Sequence, residues 1–229
     1  MKANKSIIFH LFIVLIYQFT FGQKESPITA SQVINNYFEA IGGMKRAEQI
    51  KSISMEAVGL LKKHPIYLEK KLLLPNKSYH TLQHKDQLIS KSVFDGKKGK
   101  IFETGSFRKF TKNEILAASK KRSIFPEFNY FKEAKYIGIR EVNAVKCHLL
   151  KIGDTKVYYD VESGLKIKGS SIRNKGTTKF TQHLYFDNYI NIEGVKMPSQ
   201  LSIEVGNRKI KFQTKTLLIN QNVAPKDFK

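Results

Sequence analysis

The chain has 229 residues, enough for one domain with a substantial core, and 40 Lys and Arg against 19 Asp and Glu give it a formal charge of +21. A single cysteine excludes an intramolecular disulfide. So basic a balance favours anionic partners such as phosphate head groups, but the positives are dispersed through "KKHPIYLEKK", "DGKKGK" and "SKKRS" as on a solvated face. No nucleic-acid recognition motif accompanies them, so nucleic acid is not an expected partner.

Lys2 and Lys5 precede an apolar run from Ile7 to Phe21, and Gly22-Gln23 then leads into polar, Pro-containing sequence. That is the layout of a secretory signal peptide, expected over residues 1–23, with one domain over 24–229. The run contains His10 and Gln18 and is short for a membrane span, although an uncleaved N-terminal anchor is the other reading. No Cys follows it to carry a lipid anchor.

The segment "TASQVINNYFEAIGG" sets Val33, Ile34, Tyr37, Phe38 and Ile41 on one helical face. Thr29 or Ser31 can cap its first turn, and Gly42-Gly43 can end it; a short second turn is expected in "MKRAEQI". From Lys51 the pattern becomes period two, with Ile53, Met55 and Ala57 alternating against Ser52, Ser54 and Glu56. Short strands continue through "IYLEKKLLL", "SYHTLQ", "QLISKSVFDG" and "GKIFE", separated by turn residues such as Lys85-Asp86 and Asp95-Gly96.

Between Phe107 and Phe131 the alternation stops. "TKNEILAASKKR" reads as a helix from Lys112 to Arg122 capped by Thr111, and Phe107, Phe110, Phe125, Phe128, Tyr130 and Phe131 surround it. These aromatics either plug one end of the core or cover a ligand. Strands resume in "AKYIGIREV" and run to "RKIKFQTKTLLIN" with no linker or second composition. An antiparallel sheet this long is expected to curl, here around the N-terminal helix.

Motifs for catalysis are weak. His80 and His84 in "HTLQH" lack the Glu that a zinc-protease helix carries, and in a strand they sit too far apart to chelate a metal alone. There is no G-x-S-x-G, no phosphate loop and few carboxylates to pair. Cys147 alternates with Val145 and Leu149 and reads as a buried structural thiol. A non-catalytic protein with no cofactor and no metal is expected.

Three segments in order carry a resemblance: "FDGKKGKIF" with Asp95-Gly96, "VYYDVESGLKIK" with Tyr159-Asp160 to Gly164-Leu165, and "DNYINIEGVKMP" from Asp187 to Pro198. With the opening "YFEAIGGMKRAEQIKSISMEAVG", they resemble the LolA/LolB-like group of bacterial outer-membrane lipoprotein-sorting proteins over nearly all of residues 24–229. The motifs are turn and strand signatures, and none transfers a ligand contact. The resemblance implies an unclosed antiparallel β-barrel of about eleven strands wrapped around a helix, mainly β, with a helical lid insertion. It implies a concave apolar face that takes acyl chains.

Two functions follow as expectations. One is a periplasmic, monomeric carrier for a lipid or lipoprotein acyl chain, attracted to anionic membrane surfaces, its apolar contacts made by Phe107, Phe110, Ile115, Leu116, Phe125, Phe128 and Phe131. The other is an interaction or sensing module that partners an envelope protein, its centre filled by its own side chains. A periplasmic location is expected, with secretion or N-terminal anchoring as alternatives.

Overall fold

The computed structural model describes residues 27–103, 105–120, 123–175 and 178–229, and the expected leader, 1–23, lies outside them. Helix α1 (Ala30–Ala40) begins at a reciprocal cap. The Thr29 hydroxyl accepts from the Gln32 N–H at 3.2 Å, and Gln32 Oε1 accepts from the Thr29 N–H at 2.8 Å. The face expected to be apolar is buried at Val33, Ile34, Tyr37 and Phe38. A second short helix, α2 (Met44–Glu48), follows Gly42 and Gly43.

Thirteen strands come next: β1 (Ser52–Leu61), β2 (His64–Leu73), β3 (Lys77–His84), β4 (Gln87–Phe94), β5 (Gly99–Glu103), β6 (Ser106–Lys109), β7 (Lys135–Val142), β8 (Val145–Ile152), β9 (Thr155–Asp160), β10 (Lys166–Lys175), β11 (Thr178–Ile192), β12 (Val195–Val205) and β13 (Arg208–Ile219). Helices α3 (Lys112–Ser119) and α4 (Glu127–Glu133) lie between β6 and β7. The strands form one antiparallel sheet in the order β6-β5-β4-β3-β2-β1-β13-β12-β11-β10-β9-β8-β7. The chain therefore leaves one sheet edge at β6 and re-enters at the opposite edge, β7, through the two helices. The barrel stays open because β6 and β7 do not pair.

The thirteen strands among the described residues correct the expected eleven. Strand β6 is four exposed residues, too short for alternation to register, and it lies where the sequence reads as the start of the helical interruption. Helix α4 was also not anticipated. Its seven residues are mostly aromatic or charged and follow Pro126, which sits at the N-cap.

The main core packs α1 against the sheet. Ile34, Phe38 and Ile41 meet Leu150 and Tyr159 of β8–β9 and Val195 and Ile219 near the ends of β12 and β13. The β11–β12 hairpin docks on the end of α1: the Lys196 N–H donates to Ile41 O at 2.8 Å, and Arg46 Nη1 donates to Gly194 O at 3.0 Å. Pro198 faces Tyr189 on β11 and lies before the point where β12 first pairs with β13, so its missing N–H interrupts no ladder there. A smaller cluster of Ala57, Ile66 and Phe212 fills a separate part of the interior.

Candidate functional site

Alternation along the paired strands defines the inner wall. Leu150, Val157, Gly169, Leu184 and Ile203 form one continuous cross-strand row from β8 to β12. A cavity of about 510 Å³ opens over this row. One wall comes from Lys70 and Leu72 of β2 with Ser78 and His80 of β3, and the other from β9–β11. These strands are separated in the sheet by β1, β13 and β12, so the sheet curls until its two wings face each other. Ala118, Ile124, Pro126 and Tyr130 of the α3–α4 segment roof the space.

The lining is amphipathic. Leu72, Leu74, Ile124, Val157, Leu184 and Phe186 supply apolar surface, while Lys70, Lys77, Lys166 and Arg173 bring cationic groups. No carboxylate side chain is among the lining residues. Gly169 leaves part of the floor bare: a Cβ there would touch only Phe186, at 3.8 Å. A volume of this size suits a small organic ligand, and the mixture suits an apolar chain ending in a negative head.

Beneath the wall lies a buried ionic cluster. Lys166 Nζ is 2.7 Å from Glu127 Oε1, and the Tyr159 hydroxyl donates to the same oxygen at 3.1 Å. The Lys166 ammonium also lies over the rings of Tyr37 and Phe186, at 5.3 and 4.9 Å. Glu127 is fully buried, and its Oε2 accepts no hydrogen bond. Tyr37, Tyr130, Tyr159 and Tyr189 all have their hydroxyls pushed up, first by burial and second by the Glu127 charge. They stay protonated and do not act as bases.

The seven residues expected to contact ligand do not converge. Phe125, Phe128 and Phe131 pack on Phe38 of α1, with ring centroids 6.5, 4.5 and 6.3 Å away. Phe110 stacks on Phe94 at 5.8 Å, over the bare α-carbon of Gly99. Phe107 and Leu116 are 64% and 56% exposed, and Ile115 is half-buried. None of the seven lines the cavity; their chain neighbours Ile124, Pro126 and Tyr130 do. Sequence reasoning missed Glu127 and Lys166. A lone carboxylate inside "FPEFNYF" was the available signal for Glu127, whereas Lys166 looks like any strand lysine.

The histidines are dispersed. His80 lines the cavity, whereas His84 sits beside His64 and its Nδ1 lies 3.1 Å from Pro65 O. His148 contacts the Tyr136 hydroxyl at 3.3 Å, and His183 contacts the Ser170 hydroxyl at 2.7 Å. Burial lowers the pKa of both. Among the described residues, no group of three or more His, Cys, Asp or Glu is placed to hold a metal. Cys147 is fully buried, as its alternation implied, and burial pushes its thiol up to about 11.

No family model and no curated protein matches the sequence. Three crystal structures share its architecture. A LolA-superfamily protein from Nitrosomonas europaea is 10% identical with a TM-score of 0.53, over 88% of this chain and 98% of that one. A DUF1329-family protein from Desulfovibrio piger is 11% identical with a TM-score of 0.52, over 87% and 96%. A domain named as an outer membrane lipoprotein-sorting protein from Vibrio parahaemolyticus is 12% identical with a TM-score of 0.50, over 85% and 95%. At these identities the likeness is one of fold, and the chain has the LolA-type fold: an open antiparallel β-barrel curled around a helix.

Proposed function

We propose that the protein is a non-catalytic periplasmic carrier that holds the acyl chain of an anionic lipid or lipoprotein inside its half-barrel. The observation that carries this reading is the interior cavity of about 510 Å³, with apolar walls, no carboxylate among its lining residues, and Lys70, Lys77 and Arg173 in that lining besides Lys166, which is paired with Glu127. Each methylene moved from water into such a space contributes about 0.8 kcal/mol. The names of the solved proteins with this fold, one for the LolA superfamily and one for lipoprotein sorting, support the reading. The interaction-module alternative called for a centre filled by the protein's own side chains, and the open space over Gly169 favours the carrier. The α3–α4 segment would then be the part that admits the chain.

Gly169→Leu tests the site. Its backbone lies in β10 with no positive φ, and the added side chain enters the cavity instead of the packed core. Uptake of a long-chain fatty acid, read by native mass spectrometry and by displacement of a fluorescent fatty acid, should weaken by about tenfold or more. The melting temperature should hold. Equal uptake by both proteins, or no uptake by the unsubstituted protein, overturns the carrier reading.

A further inference from the structure

The outer side of the β4–β5–β6 wing carries a second cationic surface. Register places Lys91, Phe102 and Phe107 in one cross-strand row, and Val93, Lys100 and Lys109 in the next. Tyr79 is the β3 partner of Val93, and the Lys91 ammonium lies 5.2 Å over its ring. Ser78 and His80, its neighbours on β3, point the other way and line the cavity. The two rows therefore lie on the side away from the cavity, where Val93 is itself buried and Lys100, Phe107 and Lys109 are exposed.

Three features distinguish this surface from the dispersed lysines elsewhere. The Phe102 and Phe107 rings pair at 4.8 Å, yet Phe107 is 64% exposed at the end of the sheet. Lys91, Lys100 and Lys109 surround that pair in the same two rows. Glu103 and Glu114 fall on the opposite side of these strands, Glu103 in register with Ser90 and Ser106 and Glu114 held by Arg108. Glu69 and Asp227 lie at the Tyr79 end of the surface, where they pair with Lys71. None of these rows lines the cavity described above.

We propose that this face docks the protein onto an anionic lipid bilayer, with Phe107 at the boundary of the acyl chains and Lys91, Lys100 and Lys109 among the lipid phosphates. A planar array of negative charge over apolar material complements ammonium groups set around an aromatic pair whose outer ring, Phe107, is exposed. The inference does not depend on what the cavity holds.

Co-sedimentation of the full chain with vesicles of equimolar phosphatidylglycerol and phosphatidylcholine tests it, with pure phosphatidylcholine vesicles for comparison. Each lysine near such a surface strengthens binding about fivefold, so Lys91→Gln, Lys100→Gln and Lys109→Gln together should weaken it about a hundredfold. A variant with the same charge change on the other wing and β11, Lys146→Gln, Lys151→Gln and Lys179→Gln, should lose only a few-fold. Phe107→Ser should weaken binding with no change of charge, and fatty-acid uptake should be unaffected by all three variants. Equal losses in the two triple variants would show that overall charge alone attracts the membrane and would overturn the proposal. So would failure of the unsubstituted protein to sediment with anionic vesicles while it is retained on an acidic polypeptide.

Discussion

The Glu127 carboxylate, in the first turn of α4, lies 2.7 Å from the Lys166 ammonium, at the start of β10. This contact ties the helical connection between β6 and β7 to the sheet at a point where Glu127 is fully buried and the lysine side chain is 14% exposed. Removing one partner leaves the other charge uncompensated in the interior, and Lys166→Met should cost about 3–5 kcal/mol. Replacing both, as Glu127→Leu with Lys166→Met, should recover most of that loss, because the desolvation cost of both ions disappears with them. Denaturant unfolding of the two single variants and the double variant measures the coupling directly. A double variant no more stable than Lys166→Met would show that the pair does not act as a unit.

Gly42 joins α1 to the β11–β12 hairpin. Its φ is +114°, and a Cβ would run into the carbonyl oxygen of Gly194. Gly43 also has a positive φ, +100°, but nothing lies within 4 Å of where its Cβ would be. Gly43→Ala should therefore carry only the backbone penalty of a conformation that favours glycine, about 1–3 kcal/mol. Gly42→Ala adds a clash with a main chain that anchors the helix and should cost about 1–3 kcal/mol more than Gly43→Ala. Thermal melts should place Gly42→Ala several degrees below Gly43→Ala, and equal melting temperatures would contradict this account of the docking.

Acid should loosen the join between β6 and α3. Arg108 Nη1 and Nη2 donate to the two Glu114 carboxylate oxygens at 2.8 and 2.9 Å, and the Thr111 N–H donates to Oε2 at 2.7 Å. The Arg108 hydrogen bond is the main reason the Glu114 pKa falls from 4.5 to about 2. A folded-state value below the unfolded one stabilises above the ordinary carboxylate range, and that contribution is lost as pH falls from about 4.5 through about 2. Both side chains are at least a third exposed, so solvent screening holds the effect to under about 1 kcal/mol. Glu114→Gln should lower stability slightly at neutral pH and match the unsubstituted protein below about pH 2. A difference that persists in strong acid would place the effect elsewhere.

The local grammar of the chain was legible without coordinates. The apolar face of α1, the Thr111 cap of α3, the turn at Lys85-Asp86 and the alternation of Cys147 with Val145 and Leu149 all depend on residues close in sequence. Helix and strand periods act over a few residues and leave a readable pattern. The short elements left weaker marks: β6 has four residues and α4 has seven, too few for either period to repeat.

The site was hidden for a different reason. The aromatic run 107–131 announced an apolar segment but not its partners, and the sheet's curl decided those. Phe125, Phe128 and Phe131 face Phe38 because α1 lies under α4, so they pack on the core and do not line the cavity. The cavity floor formed at Gly169, where a missing side chain is meaningful only once β10 faces β2 and β3 across the barrel. Glu127 and Lys166 are 39 residues apart, and neither carries a sequence mark of the other. The sequence by itself determined the longer elements and their order, because those follow from short-range steric and hydrophobic periods. Tertiary structure alone decided which faces met across the open barrel, because that depends on the accumulated twist of many paired strands.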